Sequence, residues 1–190
     1  MANSGELYYL IGKPNLLKHS ILQHITASMQ NDCSVLVAKT NTTNDAFVND
    51  PNYCVISESD FGLRNSMGLY CLNWQKKGHN YGIGGEIQQL INRGNNVLLN
   101  GSLQNIEQAL KLFPLMNVVM IKYETKPDSG RNDGYSIVEN DGARLDWISE
   151  ANGVYGPFVL TAFDENAHQS VAELLLKFVL FDPSKLDKAV

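Results

Sequence analysis

The chain has 190 residues, 44% of them hydrophobic and 18% charged, with 15 Lys and Arg against 20 Asp and Glu for a formal net charge of −5. This is enough for one core of ordinary size and excludes wholesale disorder. The acidic balance argues against a generic nucleic-acid binder, which carries a basic face, but leaves room for one small basic pocket.

The first apolar run, residues 7–11 (LYYLI), ends at Gly12 and predicts a buried strand. Leu17, Ile21, Leu22 and Ile25 recur at helical spacing and predict a helix over 16–29. Residues 34–38 (SVLVA), 97–99, 117–121 (NVVMI) and 158–161 (FVLT) read as further strands, with helical patterns over 85–91, 103–113 and 167–181. Strands alternating with helices predict a three-layer α/β fold, a parallel sheet covered by helices on both faces. The chain reads as a single domain over 1–190. Two stretches interrupt the alternation. Residues 40–83 form an insertion in which Ser57 to Asp60 opens a short capped helix, and 69–74 and 80–83 flank a Lys77-Gly78 turn as a hairpin. Residues 123–153 are polar, rich in Gly, Asn and Asp, and lid-like.

No apolar run approaches the ~20 residues of a membrane helix, and the first six residues lack the basic and apolar regions of a signal peptide. A cytoplasmic location with no membrane and no nucleic-acid partner is expected. The three cysteines, Cys33, Cys54 and Cys71, form no C-x-x-C pair, and are expected as small buried hydrophobes. His24 and His168 fall on helical patterns with no metal-ligand spacing between them. Trp74 and Trp147 are expected to pack, and His79 to lie exposed in a loop.

A strand, a glycine, a short loop and a helix make the layout of a phosphate loop, with consensus G-x-x-x-x-G-K-[ST]. Gly12-Lys13-Pro14-Asn15-Leu16-Leu17-Lys18-His19-Ser20 occupies that place. The first glycine and the lysine stand at the required spacing. Such a loop wraps phosphate with consecutive backbone N–H groups and aims a helix N-terminus at it. Here Leu17 replaces the second glycine and Pro14 removes a donor. Lys18 would supply a point charge, and Ser20 or His19 would lie on the metal side.

These segments resemble the guanylate-kinase-like group of P-loop kinases, and within it the ribose 1,5-bisphosphate phosphokinases of bacterial phosphonate breakdown. The resemblance rests on LYYLIG (7–12), Lys18-His19-Ser20, LVAKTNTTNDA (36–46), ISESDF (56–61), LNWQKKGHNYGIGGEI (72–87) and VLLNGS (97–102). It implies phosphoryl transfer from ATP, with Mg²⁺, to a small phosphorylated acceptor, through positioning and charge neutralisation. It implies Gly12, Lys18, His19 and Ser20 at the nucleotide, with Ser20 toward the metal. Asp45, Tyr81 and Ser102 fall on the acceptor side, Glu86 serves an acceptor hydroxyl, and Arg131 and Arg144 act from the lid.

The chain departs from that pattern in its basic residues. The Thr-Arg position reads Thr43-Asn44, the basic position upstream of it reads Thr40, and the Ser-Arg position reads Ser102-Leu103. Residues 40–63 contain no Lys or Arg but carry Asp45, Asp50, Glu58 and Asp60. Residues 122–150 hold four bases against seven acids. A transition-state arginine is worth ~10³–10⁵ in rate. The losses therefore predict a degenerate, catalytically impaired kinase that binds a small phosphorylated ligand or a protein partner. An active phosphotransferase on a phosphorylated sugar or nucleoside monophosphate is the alternative.

Overall fold

The computed structural model describes residues 4–12, 15–123, 158–162 and 167–180. Five parallel strands form the main sheet in the order β2-β7-β1-β8-β9. They are β1 (Leu7–Gly12), β2 (Val35–Val37), β7 (Asn96–Asn100), β8 (Asn117–Tyr123) and β9 (Phe158–Ala162). The central strands are apolar at consecutive positions because both faces are covered. Tyr8, Leu10, Leu98, Val119 and Ile121 pack with α1 (Asn15–Ser28), through Leu17, Ile21, Leu22 and Ile25, and with α5 (His168–Leu180), through Val171, Leu175 and Val179. Tyr9, Ile11, Val97, Leu99, Val118 and Met120 pack on the opposite face with α3 (Glu86–Asn92) and α4 (Ile106–Leu112). The fold is the expected three-layer α/β arrangement.

Residues 40–83 build a second sheet in the order β4-β3-β6-β5. It consists of β3 (Thr40–Thr42), β4 (Tyr53–Val55), β5 (Tyr70–Lys76) and β6 (His79–Gly84). The hairpin forms as predicted. Lys77 and Gly78 have φ of 50° and 80°, the pair of positive angles that a two-residue turn needs to match the strand twist. The helix α2 (Glu58–Ser66) is capped by Ser57, whose hydroxyl accepts from the Asp60 N–H. Phe61 stacks on Tyr70, with ring centroids 4.7 Å apart, which covers one face of this sheet. The other face turns toward the main sheet and contributes Leu72 and Ile83 to its core.

The cysteines differ from expectation. Cys33 and Cys54 are exposed and Cys71 is half-buried, all as free thiols. Cys54 lies on a short strand beside Asn41, with its side chain exposed. Among the described residues no helix is long and apolar enough to cross a membrane. The lid-like 123–153, including Arg131, Arg144 and Trp147, lies outside the described residues apart from Tyr123.

Candidate functional site

In an open parallel sheet, ligands collect outside the carboxyl ends of the strands, where successive connections leave in opposite directions. Here that point is the end of β1, with β7 on one side and β8 on the other. Gly12 terminates β1 with φ of 126°, and a Cβ built there would stand 2.0 Å from the Ile121 carbonyl oxygen. Only a side chain without Cβ allows the strand to leave the sheet so close to β8.

Helix α1 begins at Asn15, so Asn15, Leu16 and Leu17 of the phosphate-loop stretch are helical; Lys13 and Pro14 lie outside the described residues. The Leu17 side chain is buried in the cluster beneath α1 and α5. Leu16 points the other way and is exposed.

Lys18, one position on, is 2% exposed. Its ammonium donates to the Gly101 carbonyl at 2.7 Å, just past the end of β7. Burial pushes this lysine down to about 7, and the like charge of Lys76 at the end of β5 pushes the same way. Gly101 itself lies under the Tyr9 ring. The Tyr9 hydroxyl donates to the Ser102 carbonyl and accepts from the Ser102 N–H, and burial pushes it up to about 12.

His19 stacks parallel to Phe47, at 5.1 Å between centroids, and to Tyr53, at 5.3 Å. Its Nδ1 pairs with Asp50 Oδ2 at 3.2 Å. Phe47 and Tyr53 stack on each other at 4.2 Å. The cluster continues edge-on to Tyr81 at 6.3 Å and then to Trp74, stacked on Tyr81 at 5.6 Å. Burial holds His19 below the ordinary histidine range. Asp50 opposes this, while Lys18 and Lys76 reinforce it. Two further bonds join the same parts. Asn100 Nδ2 donates to the Tyr53 hydroxyl at 2.9 Å, and Thr26 of α1 donates to Asn52 Oδ1 at 2.6 Å. The start of α1, the end of β7 and one face of the second sheet therefore meet with aromatic rings between them.

The remaining expected residues divide into two groups. Tyr81 is buried in the aromatic cluster, and its hydroxyl accepts from Asn44 Nδ2. Ser102 stands beside Tyr9, and its hydroxyl accepts from the Gln104 N–H. Ser20 is half-buried on α1. Asp45 is exposed at the start of a 3-10 turn, Asp45–Phe47. Glu86 is exposed in the first turn of α3, its carboxylate lying over Gly84. Neither acid joins the aromatic cluster. His79 and Trp74 are half-buried on the hairpin. His24 and His168, unlinked by spacing, are brought together by α1 and α5 with centroids 6.4 Å apart, yet among the described residues no three His, Cys, Asp or Glu side chains gather as a metal site. Phe47, Tyr53 and Asn100 escaped the sequence reading as site residues, while Asp50 and Lys76 entered it only as an acid of 40–63 and within the hairpin segment. The one available signal was Phe47 and Tyr53 as isolated aromatics in a polar insertion.

This arrangement of two sheets about a strand–glycine–helix corner is the guanylate-kinase-like P-loop kinase fold. The crystal structure of guanylate kinase from Anaplasma phagocytophilum superposes with a TM-score of 0.56 at 16% identity, covering 94% of this chain and 88% of that one. In sequence the chain is related to the ribose 1,5-bisphosphate phosphokinases. It is 29% identical to that of Thiobacillus denitrificans over 63% of either chain. It is 32% identical to that of Achromobacter xylosoxidans over 63% of this chain and 62% of the relative. The match to that of Pantoea vagans is 26% identical and covers 77% of this chain and 94% of the relative. The matched stretch thus spans less than two thirds of the first two relatives. No protein-family profile matches the chain.

Proposed function

We propose that this kinase-fold protein binds through its cleft without transferring a phosphoryl group, with a small phosphorylated ligand or a protein partner as occupant, in the cytoplasm. The observation that carries the reading is the start of α1 at Asn15 with Leu17 in the core. Asn15, Leu16 and Leu17 open the helix instead of continuing a loop, so of the phosphate-loop design they keep only a helix N-terminus, and the Leu17 side chain is spent on the core. The nucleotide and Mg²⁺ that the fold implies do not fit the residues present. Of the two metal-side residues, His19 has its ring committed to Phe47, Tyr53 and Asp50, which leaves the half-buried Ser20 hydroxyl as the one side-chain oxygen. Mg²⁺ takes oxygen ligands in an octahedral shell. Of the charged residues in 40–63 all are acids, and Arg64, the arginine that follows on α2, is engaged with Asn41 Oδ1 at 2.8 Å.

One observation favours the alternative, an ATP-dependent phosphotransferase on a phosphorylated sugar, giving phosphoribosyl diphosphate, or on a nucleoside monophosphate. Lys18 and Lys76 approach each other closely enough to interact, as two cations do when an anion is to lie between them. Thermal unfolding at pH 7.5 with Mg-ATP, ADP, GMP and ribose 1,5-bisphosphate separates the readings. A ligand at 100 times its Kd contributes ~2.7 kcal/mol, about 5–10 °C for a chain of this size. The proposal expects no shift with Mg-ATP and no ADP release. An ATP shift that disappears in Lys18→Ala, accompanied by turnover, refutes it.

A further inference from the structure

The backbone just past β7 is gripped from β1 and from α1 together. The Gly101 N–H donates to the Leu10 carbonyl of β1 at 2.8 Å. The Gly101 carbonyl accepts from the buried Lys18 ammonium of α1 at 2.7 Å. Tyr9, on the face of the main sheet covered by α3 and α4, completes the grip. Its hydroxyl donates to the Ser102 carbonyl at 2.9 Å and accepts from the Ser102 N–H at 3.0 Å. Its ring lies where a side chain at residue 101 would go, since a Cβ on Gly101 would stand 2.3 Å from it. We propose that Tyr9 is a positioning residue that keeps Lys18 out of the cleft: by clamping the Ser102 backbone it holds the Gly101 carbonyl where that carbonyl captures the lysine ammonium. This deepens the binding-only reading and rests on it, and it favours a protein partner over a small phosphorylated ligand as the occupant.

A buried ammonium is costly unless an acceptor is held within reach. The acceptor that Lys18 meets is a backbone carbonyl, whose direction is set by the planar peptide groups around it and not by a rotatable side chain. Leu10 fixes the N–H of Gly101, and Tyr9 fixes both polar groups of Ser102. The carbonyl between them is therefore held in one orientation, toward α1. An anion would attract the ammonium more strongly than a neutral carbonyl does. To reach one, Lys18 must leave the Gly101 carbonyl without a partner in a backbone that cannot turn it to water, and a buried acceptor left unsatisfied carries its full desolvation penalty. Without the Tyr9 hydroxyl the backbone can turn, that penalty falls, and the anion prevails. Lys76, exposed at the end of β5 and close enough to act on Lys18, adds to the attraction an anion feels once Lys18 is free.

The test uses the full chain, with inorganic pyrophosphate as the anion and acetylation by an N-hydroxysuccinimide ester, read by peptide mass spectrometry, as the probe of Lys18. Lys111, exposed on α4, is the internal reference. In the parent, Lys18 should be acetylated far more slowly than Lys111, and pyrophosphate should leave Tm unchanged. Tyr9→Phe keeps the ring and removes both bonds to Ser102, and Gly101→Ala drives the backbone away from the Tyr9 ring. Each should raise Lys18 acetylation by about tenfold or more relative to Lys111. Each should also gain a pyrophosphate-dependent rise in Tm of about 5 °C at saturation, which disappears when Lys18→Met is added. Val97→Ala, a core truncation away from the Tyr9 hydroxyl, measures what loss of stability alone does and should gain neither signal. Lys18 acetylated as fast as Lys111 in the parent, folded variants that keep Lys18 protected or gain no pyrophosphate shift, a shift that survives Lys18→Met, or an equal gain in Val97→Ala overturns the proposal. If Gly101→Ala does not fold, Tyr9→Phe decides. Mg-ATP turnover by the parent removes the binding-only reading, whereas the acetylation pattern decides the role of Tyr9, so the two failures are distinguishable.

Discussion

Replacing Leu17 decides whether the start of α1 is a helix seated on a core or a loop around a missing phosphate. Leu17 is 5% exposed and packs among Tyr8, Leu10, Ile21 and Val119. Truncating a buried leucine to alanine costs ~2–5 kcal/mol in transfer and cavity energy. At 2–4 °C per kcal/mol for a chain of this length, Leu17→Ala should lower Tm by about 5–15 °C. Leu17→Gly is the sharper variant because it restores the loop consensus. In a helix, glycine is ~0.8–1.0 kcal/mol worse than alanine, so the glycine variant should be the less stable of the two by close to that amount. Were residue 17 in a left-handed loop position, glycine would instead relieve ~1–2 kcal/mol of strain, and the order would reverse. Urea titrations of the three proteins with matched m values measure both differences. A glycine variant as stable as the alanine variant, or an alanine cost under ~1 kcal/mol, would refute the placement of Leu17 in the core.

Two further outcomes follow from the same corner. Gly12→Ala places a methyl 2.0 Å from the Ile121 carbonyl oxygen at φ of 126°; moving β8 aside should cost more than about 3 kcal/mol, read as a lowered urea midpoint, and a neutral result would refute the geometry at the end of β1. Lys18→Met removes a buried amine held at about 7, well below its ordinary value. The wild type should therefore gain stability relative to the variant as pH rises from about 7 toward 10, measured as the difference in urea midpoint, and a pH-independent difference would show that the amine is not buried as described.

The two sheets were unequally legible. β1, β7 and β8 are written as consecutive apolar residues because both faces are buried, and α1 as a 3.6-residue apolar stripe because one face is. Local pattern and tertiary role coincide there. The hairpin was legible for a different reason: Lys77-Gly78 satisfies a turn that few residue pairs accept. β3 was not. Thr40–Thr42 reads as a polar loop, and it is a strand because β6 and β4 offer backbone partners on both sides. β4, three residues long, depends on β3 in turn. A short strand's identity lies in its neighbours, which periodicity does not report.

The sequence alone determined the layered α/β fold, the corner at Gly12 and the shortage of basic residues over 40–63, because each follows from composition or from spacing along the chain. Burial of Lys18 against Gly101, the stacking of His19 on Phe47 and Tyr53, and the separation of Asp45 and Glu86 from that cluster were decided by tertiary structure. Those contacts join residues 28 to 83 positions apart, and their energies depend on desolvation and ring geometry, which exist only once the two sheets have closed on each other.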